Sequence, residues 1–351
     1  MPQHLAPLDP GTLAYDLVAI PSLSGEEGAV MAFVDTLLRQ RGWRVRNVPV
    51  TSGRVDLIAS ASDAPLVTLS THLDTVPPFL PPRREQGRLY GRGACDAKGI
   101  AAAMICAAER LRDRHVPVAL LFVIGEETEH DGATAANREA TTSRVLINGE
   151  PTGNVLAVGT KGALHVTVRT TGRAAHSAYP ELGRSATLDL VHLLADLDAV
   201  PLPTDSLLGA TTINIGFLSG GVADNVVAPS AEARLMVRLV TPSEDIAGRL
   251  QAWAGPRAQL TFEALVPPVR LATVPGFDTA VMAYATDIPR LDRWGTPYLL
   301  GPGSIQVAHT DTEYVELAEL IRAVDAYERL AIGALTADAA ARNAPGAPTA
   351  A

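Results

Sequence analysis

Three short stretches of this chain are apolar enough to be buried on both faces, and each runs into acidic side chains. Residues 65–70 read PLVTLS and continue to His72 and Asp74. Residues 116–125 read VPVALLFVIG and end in the pair Glu126-Glu127. Residues 144–148 read RVLIN and end in Gly149-Glu150. Short β-branched runs of this kind are buried strands. In an open α/β sheet, sites are built where such strands end. Adjacent carboxylates at the end of a buried strand repel one another unless something offsets their charge. The feature therefore predicts a sheet with one edge collecting carboxylates.

Helical patterns separate these strands. Residues 11–20 read as a helix, and Ser24-x-x-Glu27 is a capping-box pattern before an amphipathic stretch carrying Val30, Phe33, Val34, Leu37 and Leu38. Strands are expected at 43–50 and 55–60, around a turn at Ser52-Gly53. Helices are expected at 99–112 and, shorter, at 134–141. Alternating β and α segments predict a three-layer α/β/α domain. From Gly162 the texture changes to strand 163–171, helix 185–197, strands 211–218 and 232–240, helix 243–254 and strand 259–265. That β-α-β-β-α-β order is the ferredoxin-like sandwich. Residues 277–286 then look helical, 297–300 read as a strand, and a last helix is expected over 312–335. The domain reading is 1–160 with 271–335 as one catalytic, metal-binding domain, 161–270 as an inserted lid and dimerisation domain, and 336–351 as a disordered tail.

The composition narrows the function. The 351 residues carry a formal net charge of −9 and no basic run, which argues against nucleic acid as a partner. No apolar run approaches the roughly 18–20 residues of a membrane span. The N-terminal MPQHLAPLDPG lacks the basic and apolar regions of a signal peptide. Two cysteines, Cys95 and Cys106, are too few for a disulfide framework and fit a reducing compartment, so the expectation is a cytoplasmic protein. Cys95 is read as a small packed residue.

His72 and Asp74 stand two apart at a strand end and so share a face. Asp96 follows Gly91-Arg-Gly93 just before a helix. Imidazole beside carboxylates suits zinc. Amide hydrolysis needs a nucleophile, a polarised carbonyl and a proton for the leaving amine, and a two-cation site meets the first two needs.

In order, the segments are HLDTVP from His72, GRGACDAKG around Asp96, GEETEHDGA with Glu126 and Glu127, NGEPT with Glu150, GRAAHSA with His176, and GPGSIQVAHTDTEY with His309. Together they resemble the zinc-dependent aminoacylase and exopeptidase family, over nearly the whole chain. The resemblance implies two zinc ions per subunit, with cobalt as a substitute. His72, Asp96 and Glu150 would hold one, and Asp96, Glu127 and His309 the other, Asp96 bridging. It implies that Asp74 hydrogen-bonds His72 from behind, that Glu126 is the general base, and that the Asp96–Ala97 peptide is cis. It gives His176 a role in trans, reaching the partner subunit's site in a homodimer built through the inserted domain. Asn225 and Arg238 match a lid segment that would meet a substrate carboxylate, and the N–H groups of Gly301 and Gly303 would meet the same group. His4, His115, His130, His165 and His192 match no ligand position.

The ending GPGSIQVAHTDTEYVEL looks most like the acetylornithine and acetylcitrulline deacetylase branch. The expected substrate is therefore a small N-acyl amino acid, in arginine biosynthesis. Alternatives are a hydrolase freeing lysine or ornithine from a carrier protein, a succinyl-diaminopimelate desuccinylase, a dipeptidase or carboxypeptidase, and a catalytically silent binding protein of the same fold.

Overall fold

A computed structural model describes residues 6–51 and 53–343, and the chain divides into two compact units. Of the described residues, the first comprises those of 6–158, 271–280 and 286–343, and the second 159–270 with 281–285.

The first unit is built on a six-stranded mixed sheet in the order Arg44–Thr51, Arg54–Ser60, Val118–Val123, Val67–His72, Val145–Asn148, Thr296–Leu299. Val67–His72 runs parallel to both neighbours, and Thr296–Leu299 runs parallel to Val145–Asn148. Side chains alternate across a strand, so each buried strand serves two cores. Leu57, Leu69, Leu120, Phe122 and Ile147 face a layer made by helices Pro10–Val18, Gly28–Gln40, Lys98–Asp113 and Leu317–Arg342. Ile58, Leu121, Val123 and Leu146 face the other way, onto Ala133 and Ala136 of helix Asp131–Ala136 and onto Leu291 and Trp294. The result is the expected α/β/α sandwich. Three adjacent parallel strands deliver His72, Glu126 and Glu150 at their C-terminal ends.

The second unit has a four-stranded antiparallel sheet in the order Thr212–Gly220, Ser230–Leu239, Gly162–Thr171, Gln259–Val266. Helices Ala186–Ala195 and Ser243–Ala254 cover one face through Leu190, Leu193, Ile246 and Leu250. Connection and sheet order are those of the ferredoxin-like sandwich.

Several local expectations are corrected. Residues 277–286 contain the strand Thr279–Met282, not a helix. Backbone pairing decides it: Leu156 N–H donates to Asp278 O at 2.9 Å, and Lys161 N–H donates to Met282 O at 3.0 Å. The last helix starts at Leu317, because Tyr314–Glu316 is a strand paired with Arg88–Tyr90. It continues to Arg342, through residues assigned to a disordered tail. The run ADAAAR is rich in the strongest helix former, and that propensity prevails. The remainder of that tail, 344–351, lies outside the described residues, as do His4 and Ser52. The short helix is Asp131–Ala136 rather than 134–141. Ser24 does not cap the following helix, whose N-cap is Glu27 without a side-chain cap bond. Its hydroxyl donates instead to Asp74 Oδ2 at 2.7 Å.

Candidate metal centre

His72 is the last residue of a fully buried strand, with its side chain 1% exposed. Asp96 lies in the turn before helix Lys98–Asp113, and its peptide bond to Ala97 is cis. Gly93 (φ 85°) allows that turn to close tightly, and Lys98 N–H donates to Gly93 O at 2.8 Å. Glu126 and Glu127 follow Gly125, which has φ 70°. Donor atoms of His72, Asp96 and Glu127 all lie within 4.8 Å of one another. His309 joins them: its Nε2 is 2.9 Å from Glu127 Oε1 and 3.3 Å from Asp96 Oδ2. Four residues far apart in sequence thus face one point, and Glu150 stands close enough to act on the charge of His72 and Glu126.

The electrostatics identify what the pocket lacks. Burial pushes the Glu126 and Glu150 carboxyls well up; Glu150 adds repulsion on Glu126, and Asp96, Asp287 and Glu127 add it on Glu150. Burial also raises Glu127, against the hydrogen bond from His309. Burial disfavours the charged forms of Asp96 and His72 as well. Their pairing prevails: hydrogen bonds with His309 and His72 hold Asp96 below the usual carboxylate range, and Asp74 and Asp96 hold His72 up. Contact with Asp96 and Glu127 brings His309 to about 10. Glu150 Oε1 is buried and has no hydrogen-bond partner among the described residues. A buried carboxylate oxygen is costly in that state. The donor set of two imidazoles and several carboxylates, with an orphaned oxygen among them, fits divalent cations.

Asp74 departs from its expected contact. His72 Nδ1 donates to the Asp74 backbone carbonyl at 3.0 Å, and the carboxylate is farther, at 3.5 Å. The carboxylate is engaged elsewhere: Oδ1 accepts from Glu126 N–H at 3.1 Å and Oδ2 from Glu127 N–H at 3.2 Å. Burial would raise Asp74, but the His72 ring, the Ser24 hydroxyl and the Glu127 N–H hold it down. One residue therefore fixes the His72 ring through its carbonyl and the Glu126-Glu127 turn through its side chain.

Glu313 was not singled out by sequence, although it lies in the quoted segment four residues after His309. Its buried Oε1 accepts N–H bonds from Gly93 at 2.9 Å, Cys95 at 3.1 Å and Asp96 at 3.1 Å, while Oε2 pairs with Arg92 at 2.6 Å. This ties the Asp96 turn to the His309 segment. Cys95 is buried and packs as expected, its thiol donating to Ser304 O at 3.4 Å.

Gly301 and Gly303 do not present free N–H groups. Gly301 N–H donates to Thr152 Oγ1 at 3.0 Å, and Gly303 N–H donates to Glu319 Oε2 at 3.1 Å. Gly303 is needed for another reason: a Cβ there would stand 2.6 Å from Cys95 Sγ, at φ 82°. His176, Asn225 and Arg238 belong to the second unit. Exposed His176 accepts from Ala178 N–H through Nδ1 at 3.1 Å, and Ser177 N–H donates to Asn225 O at 2.9 Å. Arg238 sits on strand Ser230–Leu239, where burial lowers its pKa and no carboxylate among the described residues pairs with it.

A three-layered helix–sheet–helix unit with this cluster at its strand ends defines a metal-dependent hydrolase of amide bonds. Comparison with known proteins gives the family: residues 68–332 match Peptidase family M20/M25/M40, and the chain belongs to it. A relative named a probable carboxypeptidase, from Aspergillus clavatus, is 39% identical, over 91% of this chain and 81% of its own. Among solved structures, a tripeptidase from Staphylococcus aureus superposes with a TM-score of 0.78 at 21% identity, covering 94% of this chain and 98% of that one. An M20 family metallo-carboxypeptidase from Sulfolobus solfataricus gives 0.74 at 18% identity, covering 93% and 99%.

Proposed function

We propose that this protein is a dinuclear-zinc exopeptidase of the carboxypeptidase type, cleaving the amide bond next to a free α-carboxylate. The observation that carries the reading is the convergence of His72, Asp96 and Glu127 within 4.8 Å, with Glu150 buried beside them and one oxygen unpartnered. His72, Asp96 and Glu150 would hold one ion, and Asp96, Glu127 and His309 the other. Bound cations of this kind supply an activated water and a polarised carbonyl. Glu126 is the base: it takes the proton of the attacking water and returns it to the leaving nitrogen. Asp74 holds the backbone of Glu126 through the N–H bond at 3.1 Å, limiting where that carboxylate can go. Arg238, half-buried and unpaired by any described carboxylate, is suited to bind the substrate carboxylate, and Asn225 is assigned to the substrate as well. His176 is assigned to the oxyanion, in trans.

The carboxypeptidase reading is preferred over N-acetylornithine or N-acetylcitrulline deacetylation because the relatives carry the former name. Both classes present an amide beside an α-carboxylate, so the machinery is common to them. Zinc-loaded protein should be offered N-blocked dipeptides, free tripeptides, N-acetyl-ornithine, N-acetyl-citrulline and N-succinyl-diaminopimelate. N-blocked dipeptides should be the best substrates, and amidating their C-terminus should abolish cleavage. Dominant turnover of N-acetyl-ornithine would return the protein to the deacetylase class. Glu126→Gln should keep two zinc ions per chain and lose at least about 10²-fold in kcat; full activity in that variant would remove the base assignment.

A further inference from the structure

We propose that His130 and Asp287 form a positioning pair that holds the Glu126 carboxylate in place. The inference rests on the reading of Glu126 as the base. His130 matches no ligand position, and nothing in the sequence links it to Asp287, 157 residues away. In the fold, His130 Nδ1 lies 2.8 Å from Asp287 Oδ1 and 3.9 Å from Glu126 Oε1. A carboxylate accepts, so Nδ1 is the donor and its hydrogen fixes the ring toward Asp287. The Nδ1 edge of the ring then stands against Glu126, in contact range but beyond a hydrogen bond.

Both members are themselves held. His130 is a non-glycine residue in left-handed backbone, at φ 54°, a conformation that persists where surroundings over-determine it. Its carbonyl accepts from Thr134 N–H at 3.0 Å and Thr134 Oγ1 at 2.9 Å. Asp287 is 2% exposed in its side chain, and Arg290 N–H donates to its backbone carbonyl at 2.8 Å. The turn it starts is anchored by buried Ile288, Leu291 and Trp294.

The need for such a pair follows from the side chain of Glu126. Asp74 fixes its backbone, but the carboxylate stands on three rotatable bonds. A base must come within about 2.6–3.2 Å of the proton it takes, and a misplacement of about 1 Å can cost about 10²-fold. A ring held this way against one carboxylate oxygen removes the rotamers that turn away. Donor atoms of Glu126, His130 and Asp287 also fall within 4.8 Å of one another, so a third cation is the rival explanation.

The test uses the full chain loaded with zinc, the panel substrate of highest turnover, and zinc content per chain as a readout independent of activity. His130→Asn suits the backbone, since asparagine tolerates left-handed φ, but its side chain is too short to wall Glu126. Asp287→Ala removes the acceptor, and Asp287→Asn keeps one. His130→Asn and Asp287→Ala should each lower kcat about 10-fold or more, with KM within about twofold and two zinc ions retained. The double variant should be no worse than either single one, as for residues acting as a unit. Asp287→Asn should recover most of the loss. If Asp287→Ala does not fold, His130→Asn with Asp287→Asn still decides the matter. Unchanged kcat in His130→Asn overturns the proposal, as does a rise in KM alone, zinc below two per variant chain, or a third zinc on the parent protein. An inactive Glu126→Gln beside a fully active His130→Asn would sink the pair alone; an active Glu126→Gln would sink the base reading and the pair with it.

Discussion

Asp56 lies under the sheet edge with its side chain fully buried, one oxygen accepting from Ile124 N–H at 3.1 Å and the other without a partner. Burial, with Asp287 and Asp131 nearby, pushes its carboxyl up to about 8 from 3.8. An acid whose folded pKa is raised holds its proton in the folded state after the unfolded chain has lost it. Stability therefore falls as pH rises from about 3.8 to about 8. Asp56→Asn keeps the acceptor and replaces the orphaned oxygen with a neutral donor. The variant should match the parent near pH 4 and exceed it by about 1–3 kcal/mol at pH 9, measured by urea unfolding across that range. A constant difference at all pH values would mean that Asp56 does not titrate as described. At this scale sequence reading found the residues that look like ligands and missed those that hold them. His72, Glu126, Glu127 and Glu150 announce themselves by type and by place at strand ends, whereas Asp96, before a helix, and His309, in a loop, enter through the resemblance of their segments to a family. Ser24, Glu313 and Asp287 are ordinary letters in sequence, and their partners are 50, 217 and 157 residues away. The spacing of Ser24 suggests a local job, capping a helix, because local jobs are all that spacing can suggest.

Among the elements, strand Thr212–Gly220 is anomalous. It closes one side of the lid sheet, bonded only to Ser230–Leu239 in the sheet order, and is exposed along nearly its whole length. Ile215 is 44% exposed, Phe217 42% and Leu218 55%. Nearby in sequence, Leu188 and Val191 of helix Ala186–Ala195 are 58% and 51% exposed. An apolar edge strand is an open template for pairing unless it is blocked. This supports the proposed homodimer through the lid, with a two-fold axis pairing the strand to its own copy. Phe217→Lys with Leu218→Lys should give a monomer by sedimentation velocity where the parent sediments as a dimer. A monomeric parent would end the proposal, and with it the trans role of His176. Other elements owe their form to distant partners as well. Thr279–Met282 has no strong pattern of its own, and its pairing partners lie more than 120 residues earlier, at Leu156–Thr160. The C-terminal helix begins later than its periodicity suggests because Tyr314–Glu316 owes its extended form to Arg88–Tyr90.

Over the whole chain, stability and metal binding are linked. Asp96, Glu126, Glu127 and Glu150 share one pocket, and burial raises three of them in the absence of cations, so protons stand in for metal charge. Raised carboxyls lose that relief as pH rises, so the metal-free protein should weaken toward alkaline pH. Chelation should lower the thermal midpoint more at pH 8 than at pH 6, and zinc should restore it. At a free concentration of about 100 Kd, one ion contributes about 2.7 kcal/mol. Equal midpoints with and without chelator would show that the cluster holds no ion. Among the described residues no helix is long and apolar enough to cross a membrane, in keeping with the apolar runs in the sequence. By itself the sequence determined the layered α/β unit and the ferredoxin-like insertion, and brought forward the acidic strand ends from which metal donors are proposed. Those follow from periodicity and from residue type at strand ends, which are local properties. Only the tertiary structure decided that Asp74 fixes a turn by its side chain and a ring by its carbonyl, that Gly301 and Gly303 have no N–H to offer, and that Asp287 reaches the side of Glu126. Each depends on which distant groups arrive within about 3 Å, and burial leaves a polar group no other partner to choose.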